Sequence, residues 1–512
     1  MGKGEDKPEE FNKDIVEETT PGCYLKSRHS MAIMLFFATF NVYSLRTNLS
    51  VAIVAMVNST SSSTEDSENG SDVCPDKGVS EIDENTNNGI FVWDSVQQGL
   101  ILGCYFYGYI FTCVPGGYLA KRYGVKPVLG ITMLISSIIT LLCPVMANAS
   151  FPLFVTFRII LGFLQGVSFP AVQSAWGIWA PPLERSTLIA ISFSGSSFGT
   201  FVTLPIAGVI ADNVGWEAVF YLTGAGAMLW SLVWLAFFYS TPETHPRTSE
   251  QEKKYIVESI GIQKKKNPDV KLQTPWVAML TSLPVWGIVV GHFASNWGNY
   301  TLMTMLPTYM ANILRFNLSA SGGLSALPYI LQFIFTIGGG YVTDVIRSRR
   351  LMSTVAVRKL NTTLGLAVPA LFVVLAGYIG CDVAAAVAFF SISVAFNALT
   401  VSGCKANTVE IAPKYGGIVY GISNTIANIP GFLAPQVVGI MLKEDDSLSQ
   451  WQKVFWVSAA VYLFGAIVYL IVGSGVEQPW AAGKILKNKS VKLEGIDNKA
   501  TSEDNENKGT SF

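Results

Sequence analysis

Charge is scarce in this sequence. Only 14% of its 512 residues are Asp, Glu, Lys or Arg, against 50% hydrophobic, and the mean hydropathy is +0.39. A soluble core of this size cannot hide so much apolar sequence, which excludes a water-soluble globular protein. Histidine is rarer still, at three scattered residues. With no ligand cluster, no activated nucleophile, no phosphate-cradling glycine loop and no polar domain, an enzyme is excluded and no cofactor is expected beyond Na⁺ as a coupling ion. No nucleic-acid partner is expected either. The first residues, MGKGEDKPEEFNKDIVEE, lack the apolar core of a cleaved signal peptide, so the first apolar run serves as the signal.

What the chain has is long apolar runs. A membrane-spanning helix needs about 20 mostly apolar residues. Twelve such windows occur, at 31–57, 95–119, 127–147, 151–178, 187–211, 216–239, 284–312, 323–345, 355–379, 384–410, 417–441 and 453–473. The expected fold is therefore an all-α membrane protein of twelve transmembrane helices, with the lipid bilayer as its surroundings. Basic residues occupy alternate connections: Lys26 and Arg28, then Lys121, Arg122 and Lys126, then Lys264 to Lys266, then Arg347, Arg349 and Arg350. Such residues accumulate on the cytoplasmic side, which places both termini there. The connection after the first span is instead acidic, carrying Glu65, Asp66, Glu68 and Asp72 among others against a single Lys77. It holds the sequons at Asn58 and Asn69, open to glycosylation on the extracytoplasmic face. Cys74 and Cys381 fall in connections on that face and form either a disulfide between the halves or two free thiols.

The chain is also written twice. Gly116-Gly117-Tyr118-Leu119-Ala120 closes the second span and Gly339-Gly340-Tyr341-Val342-Thr343 the eighth. Ala180-Pro181 follows the fourth and Ala412-Pro413 the tenth. Two pseudo-symmetric six-helix bundles in parallel orientation place a substrate at mid-membrane between them. The expected organisation is a cytoplasmic tail (1–28), a first bundle (29–239) with its extracytoplasmic loop at 58–94, a linker (240–283), a second bundle (284–474) and a disordered cytoplasmic tail (475–512). Within the linker, Ser249 and Glu252 form a capping box that predicts a short helix.

Arg46 and Arg158 lie in the middle of apolar runs. A basic side chain at bilayer depth costs about 2.5–3.5 kcal/mol, so it faces a cavity or a partner. A guanidinium forks onto carboxylate or phosphate oxygens, and the pair points to a small anionic substrate; the alternative is that each arginine pairs with helix carbonyls or an acid.

The stretches W-A-P-P-L-E-R-S at Trp179 to Ser186, A-V-R-K-L at Ala356 to Leu360, E-I-A-P-K-Y at Glu410 to Tyr415 and G-V-E-Q-P-W-A near the end resemble the major facilitator branch of anion transporters. That branch contains sialin, the vesicular glutamate transporters and the sodium-phosphate cotransporters, and the likeness to sialin-like members is greatest. The resemblance spans about residues 28 to 482. It implies the major facilitator fold and anion transport, with Arg46 in Leu45-Arg46-Thr47-Asn48-Leu49-Ser50 as the substrate-binding arginine and Arg158 as its fourth-span companion. It also implies gating at Glu184, Arg185, Gly340, Asp344 and Glu410. The facilitator turn is intact from Gly340 to Asp344 but has Ala120 at the matching place in the first half, so gating charge is expected to be lopsided.

Departures from the family narrow the function. Proton-coupled members carry R-x-x-E-G-x-x-E-G followed by a histidine, whereas this chain has Leu161 and Gln165 at the two glutamates and Gln173 at the histidine. Glutamine cannot carry a proton, so coupling through those positions is excluded. Leu102 and Ser295 stand where vesicular glutamate transporters have a histidine and an arginine, which argues against glutamate. Lys405 is an added charge in the tenth span. It either joins Arg46 and Arg158 in a cavity suited to an anion of more than one charge, such as phosphate or a dicarboxylate, or snorkels to the cytoplasmic side. Tyr43, Tyr300 and Asn407 complete the expected substrate site, with core packing the alternative for the tyrosines. Coupling candidates are His292 for protons and Asn296, Asn299, Ser423 and Asn424 for sodium. Sodium-driven symport is favoured over proton symport, and a proton-coupled sialin-like exporter or a channel-like anion carrier is the alternative. The tail up to Arg28 has no Leu-Leu pair of the sort that directs sialin-type lysosomal sorting, which favours the plasma membrane.

Overall fold

The computed structural model describes residues 26–57, 89–260, 274–312, 322–442 and 447–482. The first half runs α1 (Ser27–Met56), α2 (Ser95–Tyr123), α3 (Val125–Ala149), α4 and α5 (Phe151–Gln165 and Ser168–Trp179), α6 (Arg185–Asn213) and α7 (Trp216–Phe237). The connection holds α8 (Glu250–Ile260) and α9 (Trp276–Leu280). The second half runs α10 (Leu283–Asn312), α11 (Gly322–Ser348), α12 (Thr354–Ala376), α13 and α14 (Val383–Asn397 and Ala406–Ile411), α15 and α16 (Gly416–Ala427 and Pro430–Met441) and α17 (Leu448–Val472). Twelve spans result, of which the fourth, tenth and eleventh are each two helices rather than the continuous segments expected.

Each boundary has a local cause. Asp94 and Gln97 form a reciprocal capping box that starts the second span, and Lys121 and Arg122 sit in its last turn, where the helix dipole favours cations. Pro430 has no N–H to donate and divides the eleventh span. In the tenth, Gly403 leaves helical geometry (φ −87°, ψ −114°) within the widened turn Val401–Lys405. A Cβ at Gly403 would lie 2.5 Å from Thr362 Oγ1, so glycine lets the ninth and tenth spans approach closely here.

Among the described residues, nine segments are long and apolar enough to cross a bilayer. The other three spans, the first, seventh and eleventh, carry Arg46, His292 and Asn424, and the eleventh is divided into two helices of 12 residues each. Outward-facing Phe111, Leu229 and Ile471 are 74%, 66% and 73% exposed, an apolar surface suited to lipid. The spans pair as 1·5, 1·6, 2·4 and 3·6 in the first half and as 7·11, 7·12, 8·10 and 9·12 in the second. The halves meet chiefly where span 5 packs on span 8 and span 2 on span 11.

The linker helix forms where Ser249 and Glu252 predicted it, with Ser249 Oγ accepting from Glu252 N at 3.1 Å. Ile256 is fully buried against the first half. The second tail begins later than expected. Gln478 N donates to Ile411 O at 2.9 Å, and Trp480 and Ala481 are buried in the core around Tyr415. The indole supplies enough apolar surface to hold this stretch down, so the folded part reaches at least residue 482. Asn58, Asn69 and Cys74 lie outside the described residues, while Cys381 takes part in a disulfide.

Candidate functional site

A central cavity opens between the halves, lined by spans 1, 2, 4 and 5 of the first and spans 7, 8, 10 and 11 of the second. Spans 3, 6, 9 and 12 contribute nothing to it. No Asp or Glu is among the described residues that line it.

Arg46 projects into this cavity. Its guanidinium lies 4.4 Å from the centre of the Phe106 ring, 5.0 Å from Tyr300, 5.3 Å from Tyr43 and 5.5 Å from Tyr105. Ring faces attract the cation without neutralising it, so its forked donors remain suited to an anion. Nη1 donates to Tyr300 Oη at 3.4 Å, and Tyr300 Oη donates to Asn428 Oδ1 at 2.7 Å. Tyr43 and Tyr300 therefore both line the site as expected.

Arg158 does not. It is 1% exposed, outside the cavity wall, and its Nη1 and Nη2 each lie 3.4 Å from a carbonyl oxygen, those of Leu45 and Arg46. The reason is close packing of span 4 on span 2, where Gly162 lies against the Tyr105 carbonyl too tightly for any side chain. Arg158 thus reaches the backbone of span 1 and steadies the segment that carries Arg46.

Lys405 resolves toward the cavity, which it lines from the second half. Its carbonyl accepts from Gln173 Nε2 of the fourth span at 2.9 Å. Asn407, one face away, is fully buried and donates to Tyr469 Oη at 2.9 Å and Ser474 O at 2.6 Å, so it leaves the substrate site for the packing of span 12. The widened turn accounts for this, since it rotates Lys405 inward and carries Asn407 away. His292 lines the cavity and its Nδ1 lies 3.2 Å from Ser423 Oγ, which stands behind it and off the wall. Asn296 Nδ2 donates to Ala427 O at 2.8 Å where the eleventh span breaks. Asn424 Nδ2 donates to Tyr109 Oη of the second span at 3.0 Å.

One end of the cavity is sealed by charge. Asp344, at the end of span 8, accepts from the backbone N–H of Ser186 at 3.2 Å and of Thr187 at 2.6 Å, first-turn donors of span 5 that have no acceptor within their own helix. Gly340 packs directly on Ala190 and Ser186 O, so the two spans touch without an intervening side chain. Glu410 takes a bidentate pair from Arg358 at 2.8 and 2.7 Å and a second guanidinium, Arg347, at 3.1 Å. Arg358 also donates to Ser186 Oγ at 2.9 Å and to Ser402 O, and Arg347 donates to Pro182 O at 2.7 Å. Arg185 is buried at the same junction, with Nη2 3.4 Å from Ala180 O. Glu184 is not part of this seal. Both its oxygens accept from Arg28, at 2.6 and 2.9 Å, and Arg28 also meets Glu252 of the linker helix at 3.2 Å. That triad ties the first span, the 4–5 connection and the linker together within one half.

Arg358, Tyr105, Phe106 and Asn428 join the site and its seal without having been expected there from sequence. Arg358 carried a signal, because it too is a charge inside a predicted span. The aromatic residues carried none, since rings at helical spacing in an apolar run serve packing far more often than a site.

Comparison with known proteins agrees with this architecture. Residues 35–435 match the Major Facilitator Superfamily model, and the solved proton:xylose symporter XylE superposes with a TM-score of 0.67 at 15% identity over 88% of this chain and 96% of that one. The chain belongs to the Major Facilitator Superfamily. It is 42% identical over 465 residues to sialin of Homo sapiens, covering 91% of this chain and 92% of that protein. To vesicular glutamate transporter 1 of Bos taurus it is 36% identical over 483 residues, covering 94% and 83% respectively. Within the superfamily it therefore falls in the anion-transporter branch that holds these relatives, as a multi-pass membrane transporter and not an enzyme.

Proposed function

We propose that the chain moves organic or inorganic anions, phosphate and carboxylates among them, by alternating access, with Arg46 as the anchor of the first half. The observation that carries this reading is Arg46 in an aromatic cage on a cavity with no acidic residue among its described lining. A cation so placed acts on an anion or on nothing. Opening the sealed end separates Asp344 from Ser186 and Thr187 and Arg358 from Ser186 Oγ, and an anion binding in the cavity shifts the balance between the two states by its differential affinity for them.

Sodium is the favoured coupling ion. No carboxylate is among the described residues lining the cavity to carry a proton, while Asn296, Asn299 and Asn424 supply amide oxygens of the sort hard cations take. The face bearing Arg28, Arg347 and the linker is read as cytoplasmic, with both termini on it and the plasma membrane as the favoured location. A second reading, proton-coupled export as in a sialin-like acidic-sugar or carboxylate exporter, draws on His292 at the cavity wall and on the sialin identity.

The test is uptake of labelled phosphate, urate, sialic acid and dicarboxylates into proteoliposomes under imposed sodium, proton and voltage gradients. Saturable uptake driven by sodium and lost in Arg46→Ala is expected. Drive by protons alone, lost in His292→Gln, selects the second reading. Uptake unaffected by Arg46→Ala overturns both.

A further inference from the structure

We infer that Lys405 is a second anion anchor, opposed to Arg46 across the junction of the halves, and that the preferred substrate is a small dianion held by one cation from each half. The inference rests on the anion-carrier reading above and names its substrate class.

Four observations carry it. Among the described residues, the buried arginines outside the cavity are engaged: Arg28, Arg347 and Arg358 with carboxylates, and Arg158 and Arg185 with carbonyls. The Lys405 ammonium has neither a hydrogen bond nor an ion pair among the described residues, yet lines the cavity. Its position is built, because the widened turn at Val401–Lys405 breaks an otherwise regular span at this point. Finally, Gln173 of the opposite half holds the Lys405 carbonyl at 2.9 Å, so the backbone that aims this side chain is fixed at the junction.

Two cations facing one cavity with no acid between them repel each other while it is empty, and closure around them expels the water that screens them. A dianion neutralises both and draws the halves together. A monoanion satisfies Arg46 and leaves Lys405 charged, unpaired and losing its water, so selectivity falls on the closing step as well as on binding. Hydrogen phosphate and short dicarboxylates have the required charge; monocarboxylates do not.

The experiment is uptake by the full-length chain in proteoliposomes, with succinate and phosphate as dianion probes and lactate and gluconate as monoanion probes, each at pH 7.4. Wild-type protein is expected to favour the dianions. Lys405→Met is expected to lower dianion kcat/KM by about tenfold or more, the scale of one charge-assisted hydrogen bond, while raising that of the monoanions, which no longer leave an unpaired ammonium in the closed cavity. Lys405→Arg is expected to restore the dianion preference. Should Lys405→Met fail to fold, Lys405→Gln and the wild-type preference itself provide the same measure. Equal handling of succinate and lactate by the wild type, or a ratio unmoved by removal of the ammonium, overturns the inference but leaves an anion carrier. Uptake of sialic acid or urate but of none of the four probes overturns this inference and leaves an anion carrier, whereas uptake of none of the six overturns the carrier reading and this inference together.

Discussion

Where span 8 meets span 5, a carboxylate of one half sits on the first-turn backbone N–H groups of the other, with Arg358 and Arg347 reaching across beside it. Where span 2 meets span 11, the matching place holds Ala120. There Gly117 packs against the backbone of Gly417 with no room for a Cβ, and the Lys121 ammonium lies 3.7 Å from the centre of the Tyr415 ring. One pseudo-symmetric junction is closed by a carboxylate on backbone N–H groups, and the other by close glycine packing beside a cation on a ring. The expected lopsidedness of gating charge is therefore what the structure has. A charged junction is strong when dry and yields once water enters, whereas glycine packing is set by contact alone and changes little with solvent. The two junctions need not release at the same step.

Glu410→Ala strikes the charged junction hardest. It strands Arg358 and Arg347 in a buried setting, and losing one partner of a buried pair costs about 3–5 kcal/mol; detergent-solubilised protein should melt far earlier than wild type. An undiminished melting temperature means the guanidiniums find water or another acid. Asp344→Asn keeps the shape and removes the charge, weakening the bonds to Ser186 and Thr187 by about 1.5–3 kcal/mol. Labelling of a cysteine placed at Ser186 should quicken on the linker-bearing face, and unaltered labelling argues that Gly340 contact alone holds these spans.

At the other junction, Gly117→Ala overpacks the contact of span 2 with span 11 at a cost of about 1–3 kcal/mol. Uptake should fall while Gly99→Ala, where a Cβ meets nothing within 4 Å, leaves it intact; equal behaviour of the two variants removes the shape argument. The smallest effect concerns the linker. Burial and neighbouring Arg247 hold the His245 imidazole below its ordinary value, and its Nδ1 accepts from Arg247 N at 3.2 Å. The unfolded linker binds the proton more readily, so this contribution is complete above the ordinary histidine range and is lost as pH falls through the lowered one. Proteolysis within the linker should accelerate mildly on acidification, and His245→Gln should flatten that slope.

Spacing and hydropathy made the twelve spans, their grouping into two halves and the linker helix legible, because each depends on local apolar length or a local cap. They also marked Arg46, because a charge at bilayer depth is costly wherever the chain goes. The fate of such a charge is another matter. Arg46, Arg158 and Lys405 look alike in sequence, yet one lies in an aromatic cage, one on carbonyls and one bare against a cavity. Glu184 and Glu410 likewise flank connections in much the same way, but Arg28 claims the first and Arg358 the second.

By itself, then, the order of residues determined that this chain crosses a membrane many times and keeps cations where lipid would exclude them. Which cation faces the cavity, and which junction closes by charge, the tertiary structure decided. Partners for a buried charge come from helices distant in sequence, and a single widened turn at Gly403 or one close glycine contact at Gly162 is enough to decide whether a side chain lies at the cavity or in the core.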